Sequence, residues 1–241
     1  MLSKNQFKLI NGLKKKKFRI QNNLFIAEGI KIVEELISSK FKLKTLFCTE
    51  DYTNKLQVEN IQIISDKELK NISEFTSPNQ VLAIFEIPEK DTIKNTGFTL
   101  VLDEINDPGN LGTIIRLCDW FAVDQIICST NTVDCFNPKV VQSSMGSLSR
   151  VSIIYSDLKP FLEKETRPIY GALLNGENLY KTSLPKNAVL IMGNEANGIN
   201  KEVQNTITKP ITIPQFGNVQ NTESLNVATA TAILLSEFKR T

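Results

Sequence analysis

The sequence predicts an α/β protein whose C-terminal part has a mostly parallel sheet, preceded by a small α/β domain. Short apolar segments such as 98–102 and 188–192 are typical of buried strands, and helical patterns separate them. The stretch from Ile87 to Gly97 is polar, with a proline near its start and a glycine at its end. We therefore predict two domains, residues 1–90 and residues 97–241.

The N-terminal part opens with an amphipathic pattern from Ser3 to Phe18, in which Ser3 and Gln6 suit a helix-capping box. Strands and helices then alternate. The predicted elements are the strand Asn23–Ala27, the helix Glu28–Ser39, the strands Leu43–Cys48 and Ile61–Ile64, a short helix capped at Ser65–Glu68, and the strand Val81–Phe85.

The C-terminal part continues the alternation. The predicted strands are Phe98–Leu102, Gln125–Cys128, Val151–Ile154, Ile169–Leu174, Ala188–Met192 and Ile211–Ile213, and the predicted helices are Leu111–Phe121, Pro138–Met145 and Ser224–Lys239. Apolar strands separated by helices indicate a doubly wound sheet, whose ligand sites lie beyond the carboxyl ends of the strands.

The residue types exclude several classes of chemistry. The chain has no histidine, which removes Ser-His and Cys-His nucleophilic sites and makes a hydrolase a poor interpretation. Its four cysteines lack C-x-x-C spacing, so we expect buried thiols and no metal. Apolar runs are far shorter than a membrane span and no signal peptide opens the chain, so we expect a cytoplasmic protein.

Positive charge is concentrated near the start, although the formal net charge is only +2. Lys14, Lys15, Lys16 and Lys17 are consecutive, and Arg19 follows closely. Such a run can bind phosphates by releasing counterions, or it can be the solvated face of a surface helix. We predict RNA contacts for these five residues, with the solvated face as the alternative.

A first candidate site follows the strand that ends at Leu102. Asn110 suits a helix cap, Gly112 permits close backbone approach, and Arg116 offers a fixed fork of donors for phosphate. Taken alone, the stretch is equally consistent with a capped helix that carries a surface arginine.

A second candidate site follows the strand that ends at Met192, where Gly193 and Gly198 flank Glu195. The stretch lacks the G-x-G-x-x-G pattern, which disfavours a dinucleotide-binding dehydrogenase. Taken alone, the stretch would by default be interpreted as a glycine-rich turn with a solvated Glu195 carboxylate.

A third candidate site follows Ile213 and Pro214 and leads through an amide-rich loop to Ser224 and Asn226. Serine near a helix start is often only a cap. Asn226 has a weak helical preference, which favours a functional role.

The three stretches occur in a distinctive order: N-x-G-x-x-x-R, then G-x-E-x-x-G, then I-P followed by S-L-N-V-A. In this order they resemble the motifs of the SpoU (TrmH) RNA ribose methyltransferases throughout the C-terminal domain. The N-terminal domain is similar to the substrate-binding module of that family, with an L30-like fold, on the basis of the stretch from Phe25 to Gly29.

The resemblance implies that the C-terminal segment forms a trefoil knot and that the protein is a homodimer. It also implies methylation of a ribose 2′-hydroxyl in structured RNA with S-adenosylmethionine, and no metal. The implied cofactor-binding residues are Met192, Gly193, Ile213 and Leu225. Ribosomal RNA is the favoured substrate; the alternatives are transfer RNA and an inactive RNA-binding assembly protein of the same fold.

Arg116 is the catalytic residue that the resemblance implies. Because a guanidinium resists deprotonation, we expect it to hold the adjacent phosphate and stabilise developing alkoxide charge. Glu195, Ser224 and Asn226 are expected to orient Arg116 and the ribose, with Asn110 supporting the first turn. The proton acceptor is left open between water, a substrate phosphate oxygen and a side chain.

Overall fold

The computed structural model describes residues 1–53, 58–75, 78–217 and 223–240. Its strands are β1 (Leu24–Glu28), β2 (Leu43–Cys48), β3 (Ile61–Ile63), β4 (Val81–Glu86), β5 (Phe98–Leu102), β6 (Gln125–Ser129), β7 (Ile153–Ser156), β8 (Ile169–Asn178), β9 (Ala188–Met192) and β10 (Lys209–Thr212). Its α-helices are α1 (Lys4–Leu13), α2 (Lys16–Asn22), α3 (Ile30–Ile37), α4 (Glu50–Thr53), α5 (Asp66–Ile72), α6 (Pro108–Trp120), α7 (Pro138–Ser144), α8 (Leu158–Leu162), α9 (Lys201–Gln204) and α10 (Val227–Arg240).

The chain divides into two compact units, of which the first contains Met1–Glu89 and also Asp134–Ser149. Its sheet has the order β1-β4-β2-β3, with β4 antiparallel to both neighbours and β2 parallel to β3. Helix α7 packs against β1, and the ring of Phe136 lies 4.8 Å from that of Phe25. A segment from the middle of the chain therefore completes the first unit.

The start of the first unit differs from the predicted single helix. Helix α1 ends at Leu13 and α2 begins at Lys16, so the chain bends between them. The capping box that Ser3 and Gln6 predicted is confirmed, because each side chain bonds the other residue's backbone N–H. The one-helix prediction was wrong because the apolar period continued across the bend.

The second unit contains Lys90–Val133 and Arg150–Thr241. Its sheet has the order β10-β8-β9-β5-β6-β7, and each neighbouring pair is parallel. Every residue of β5, β6 and β9 is buried, as expected for central strands covered on both faces. The predicted α/β class with a mostly parallel sheet is confirmed.

Long apolar strands were predicted best, and β2, β5 and β9 have the predicted bounds. Strand β7 begins two residues later than predicted, after the 3₁₀ turn Ser147–Ser149. The short helices α4, α8 and α9 were not predicted, because four or five residues carry too little periodicity.

No helix among the described residues is long and apolar enough to cross a membrane. All four cysteines are buried. Within the same residues, no group of His, Cys, Asp or Glu side chains could hold a metal ion.

Candidate active site

The first two candidate loops leave the sheet side by side. Leu102 at the end of β5 pairs with Met192 at the end of β9, and the N–H of Asp103 donates to the Met192 carbonyl at 2.9 Å. Burial raises the pKa of the Asp103 carboxyl, opposed by a hydrogen bond of 2.7 Å from the Asn200 N–H. The two loops are thus joined through backbone and side-chain hydrogen bonds where the strands end.

In the first loop, the helix cap is Asp107 and not Asn110. The Asp107 side chain accepts from the Asn110 N–H at 2.7 Å, and Pro108 occupies the first helical turn, where proline is favoured. Asn110 therefore lies within the first turn of α6, and its side chain is available for other contacts. The Asp-Pro pair in the sequence was the signal for this cap.

The second loop folds tightly on itself. Asn194 and Gly198 exchange backbone hydrogen bonds of 3.0 and 2.8 Å. A Cβ at Gly193 would collide with the carbonyl carbon of Gly198 and the nitrogen of Ile199, so only glycine fits there. The turn fixes the direction in which Glu195 leaves the strand.

The buried side chain of Asn194 holds this turn to the first loop. Its Oδ1 accepts from the N–H groups of Ala196 and Asn197 at 2.8 and 3.2 Å, and its Nδ2 donates to the Glu104 carbonyl at 2.8 Å. Sequence reasoning assigned Asn194 no role, although an asparagine between glycine and glutamate is a common turn signal.

The third loop places Asn226 directly before α10. Its Oδ1 accepts from the N–H groups of Ala228 and Thr229 at 3.0 and 3.2 Å, so Asn226 caps a helix that begins at Val227. The helix was predicted to begin at Ser224, with Asn226 inside its first turn; that was wrong, since Asn226 is the cap. Ser224 is exposed and lies outside the helix.

The side chains of the three loops meet at Asn110. Its Nδ2 donates to Glu195 Oε1 at 2.5 Å, and its Oδ1 accepts from Asn226 Nδ2 at 2.9 Å. The structure therefore joins one residue from each predicted motif in a single hydrogen-bonded chain. Arg116 is exposed on α6, and among the described residues it has no hydrogen-bond or ion-pair partner.

A cavity of about 440 Å³ opens beside these hydrogen-bonded side chains. It is bounded by β8, the loops after β9 and β10, and the start of α10. Its lining includes Met192, Gly193, Ile213 and Leu225, together with Glu195 at its rim. The size, the apolar side chains and the convergent polar groups are those of a small-molecule site.

Comparisons with known proteins decide the family. The model of the SpoU rRNA methylase family matches residues 97–236, and that of the MRM3-like substrate-binding domain matches residues 4–83. The chain belongs to the SpoU rRNA methylase family. The family resemblance of the three motifs is thereby confirmed.

This SpoU chain is similar to one relative over nearly all of its length and to another over part of it. It is 30% identical over 231 residues to the Bacillus subtilis 23S rRNA (guanosine(2553)-2′-O)-methyltransferase RlmP, covering 93% of this chain and 92% of that one. It is also 30% identical to the mitochondrial rRNA methyltransferase 3 of Xenopus tropicalis, covering 62% of this chain and 39% of the relative.

Two solved structures resemble the SpoU chain along its whole length. A TrmH-family RNA methyltransferase from Porphyromonas gingivalis is 37% identical, with a TM-score of 0.92 and coverage of 100% of this chain and 99% of that one. The AdoMet-bound rRNA methyltransferase of Sinorhizobium meliloti is 29% identical, with a TM-score of 0.87 and coverage of 100% and 96%.

The residues of this SpoU chain fit S-adenosylmethionine, its cofactor. Gly193 lines the cavity, and its missing side chain lets the Gly198–Ile199 backbone pack against it, so backbone and apolar groups that suit an adenine ring form this part of the wall. Glu195 and Glu223 add carboxylates to the lining, which suit a cofactor with a positively charged sulfonium.

The basic run divides into exposed and engaged residues. Lys15, Lys16 and Lys17 are exposed, while Lys14 pairs with Glu74 at 2.8 Å. Arg19 is only 1% exposed, so its predicted contact with RNA is wrong. Its position in the sequence gave no sign of burial, because its partner comes from a distant segment.

Proposed function

We propose that this SpoU chain transfers a methyl group from S-adenosylmethionine to a ribose 2′-hydroxyl in ribosomal RNA. The observation that carries the proposal is the hydrogen-bonded chain Glu195–Asn110–Asn226 at the rim of the cavity. It unites the three motifs beside the pocket that fits the cofactor. The relatives named above, including RlmP, are rRNA methyltransferases, which supports ribosomal RNA as the substrate.

When bound, S-adenosylmethionine supplies an activated methyl group on its sulfonium sulfur. We propose that Met192, Gly193, Ile213 and Leu225 hold it through backbone groups and apolar contacts. Leu225 is 47% exposed and lies between Ser224 and the cap Asn226, so its position depends on where α10 begins.

The ribose hydroxyl needs to be oriented and its developing charge stabilised. Asn110 is itself oriented by a donor and an acceptor, which fixes both ends of its amide. Arg116 is exposed and its guanidinium has no ion-pair partner among the described residues, so it can hold the phosphate next to the ribose. Ser224 is exposed in the third loop, beside Asn226, and completes the proposed site. The proton of the ribose 2′-hydroxyl passes to water, a phosphate oxygen or a side chain.

We also propose that residues 1–90 contribute RNA binding and residues 97–241 the transfer, as the two family matches support. Residues 134–149 belong to the first unit, and none of the proposed catalytic residues lies among them. The trefoil knot, the homodimer and the cytoplasmic location are proposed from the resemblance to the family.

Mapping 2′-O-methyl positions in total RNA with and without the gene tests the function. Loss of a ribosomal position, restored by the wild-type gene and not by Arg116→Ala, is expected. Calorimetry should show that Arg116→Ala still binds S-adenosylmethionine. A lost position in transfer RNA would redirect the proposal to that substrate, and no lost position together with no cofactor binding would indicate an inactive RNA-binding protein.

A further inference from the structure

The bend between α1 and α2 presents basic and aromatic side chains together. Lys15, Lys16 and Lys17 are exposed there, and the next residue, Phe18, is 41% exposed. No acidic residue precedes Glu28 in the sequence. The bend therefore combines concentrated positive charge with an exposed aromatic ring.

One side of the Phe18 ring is supported by α1. A Cβ built on Gly12 would lie 3.5 Å from Phe18 Cγ and 3.6 Å from Cδ1, which is ordinary van der Waals contact. Phe18 is in no contact with another aromatic ring among the described residues. The ring thus rests beside the helix at Gly12 and keeps substantial surface open to solvent.

Arg19 makes the bend rigid. Its Nη1 donates to the carbonyls of Leu13 and Lys14 at 2.9 and 3.0 Å, which lie at the end of α1. Its Nε and Nη2 donate to Asp134 Oδ2 at 2.8 and 2.6 Å, and this carboxylate belongs to the same unit. The buried arginine therefore ties the backbone of the bend to Asp134, so the segment that carries the exposed lysines and Phe18 is partly ordered before binding, which lowers the entropy lost on binding.

We propose that Phe18 stacks on an unpaired RNA base while Lys15, Lys16 and Lys17 contact the phosphates beside it. Aromatic side chains stack on splayed-out bases in single-stranded segments and loops, and lysines bind the backbone without reading sequence. A base-paired helix keeps its bases stacked inside and offers Phe18 no partner. The inference deepens the proposed function, on which it rests, by naming unpaired nucleotides as the feature that this surface selects.

Fluorescence anisotropy tests the proposal. The binding of the full-length protein is measured with a labelled 12-nucleotide single-stranded RNA and with the matching RNA duplex. Phe18→Ala and Phe18→Leu should each weaken single-strand binding about 5- to 150-fold, the range for losing one base–aromatic stack, and Phe18→Tyr should retain it. Neither substitution should alter the salt dependence of RNA affinity, because no charge is removed. Phe7→Ala is the matched control, since Phe7 is 43% exposed on α1 and away from the lysine run.

Replacing Lys15, Lys16 and Lys17 with Gln should lower the slope of log affinity against log salt by about 2, at about 0.7 per phosphate contact. The charge-matched control replaces Lys44, Lys67 and Lys70, which are exposed on the same unit. Equal effects of both triple variants, or unchanged binding by Phe18→Leu, would overturn the proposal. So would tighter binding to the duplex than to the single strand.

Methyl transfer to ribosomal RNA at saturating RNA separates the two proposals. A Phe18 variant that binds and methylates normally would refute the stacking role and leave the proposed function intact. A wild-type protein that binds the single strand through Phe18 but methylates no RNA would refute the proposed function alone.

Discussion

Asn110→Asp should uncouple Glu195 from the first loop while keeping the size of the side chain. The Asn110 amide donates to Glu195 Oε1 and accepts from Asn226 Nδ2. An aspartate keeps the acceptor and loses the donor, so the bond to Asn226 survives and the bond to Glu195 does not. Two carboxylates then face each other in place of an amide and a carboxylate.

The magnitude follows from these contacts. A hydrogen bond to a charged group contributes about 1.5–3 kcal/mol, and repulsion between two carboxylates near 4 Å adds about 1 kcal/mol in water. Because Glu195 is exposed, solvent screening and rearrangement favour the lower end, about 2 kcal/mol in total. If that cost falls on the transition state, methyl transfer slows about 30-fold.

Single-turnover transfer from labelled S-adenosylmethionine measures this rate, and calorimetry measures cofactor affinity separately. The double variant Asn110→Asp/Glu195→Gln restores a donor and an acceptor in reversed positions and should recover part of the rate. Asn131→Asp is the matched control, because Asn131 Nδ2 donates to the Glu104 carboxylate at 2.8 Å outside the proposed site. An unchanged rate for Asn110→Asp, or equal slowing by the control, would refute the reasoning.

Three further variants test other parts of the molecule. Gly193→Ala should abolish cofactor binding in calorimetry, because the added Cβ meets the Gly198 backbone; near-normal affinity would contradict the close approach. Arg19→Met should lower the free energy of unfolding in urea by about 3–5 kcal/mol by leaving Asp134 unpaired, and a loss below 1 kcal/mol would contradict a structural role. Hydrogen bonds, first from the Ser65 N–H, lower the pKa of Glu68 to about 2, so its stabilisation is present above pH 4.5 and is lost as pH falls toward 2. Glu68→Gln should therefore lower the Tm at pH 7 and not near pH 2; an equal difference at both would contradict this.

Structural features that depend on residues close together in the sequence were predicted from the sequence. Strands such as β5 and β9 were found because nearly all of their residues are apolar, and the capping box at Ser3 because its two partners lie three residues apart. The parallel sheet followed from the alternation of such strands with helices. The motifs and their order identified the family, although each motif alone was ambiguous.

Contacts between distant segments were not predictable in the same way. Arg19 looked like one more basic surface residue, because its partner Asp134 lies 115 positions away. The meeting of Asn110, Glu195 and Asn226 likewise depends on three separate loops, and the family resemblance supplied a grouping that spacing could not. Asn110 suits a helix cap by residue type, but the Asp107-Pro108 pair sets the cap three residues earlier.

The position of α7 has a consequence for cutting and recombining the gene. A fragment that stops near residue 90 would lack Phe136, which covers Phe25, and Asp134, which neutralises Arg19. Such a fragment would expose an aromatic surface and a buried charge, and it should be insoluble or poorly folded when expressed alone. Chimaeras between relatives should succeed more often when residues 134–149 are inherited from the same parent as the N-terminal segment.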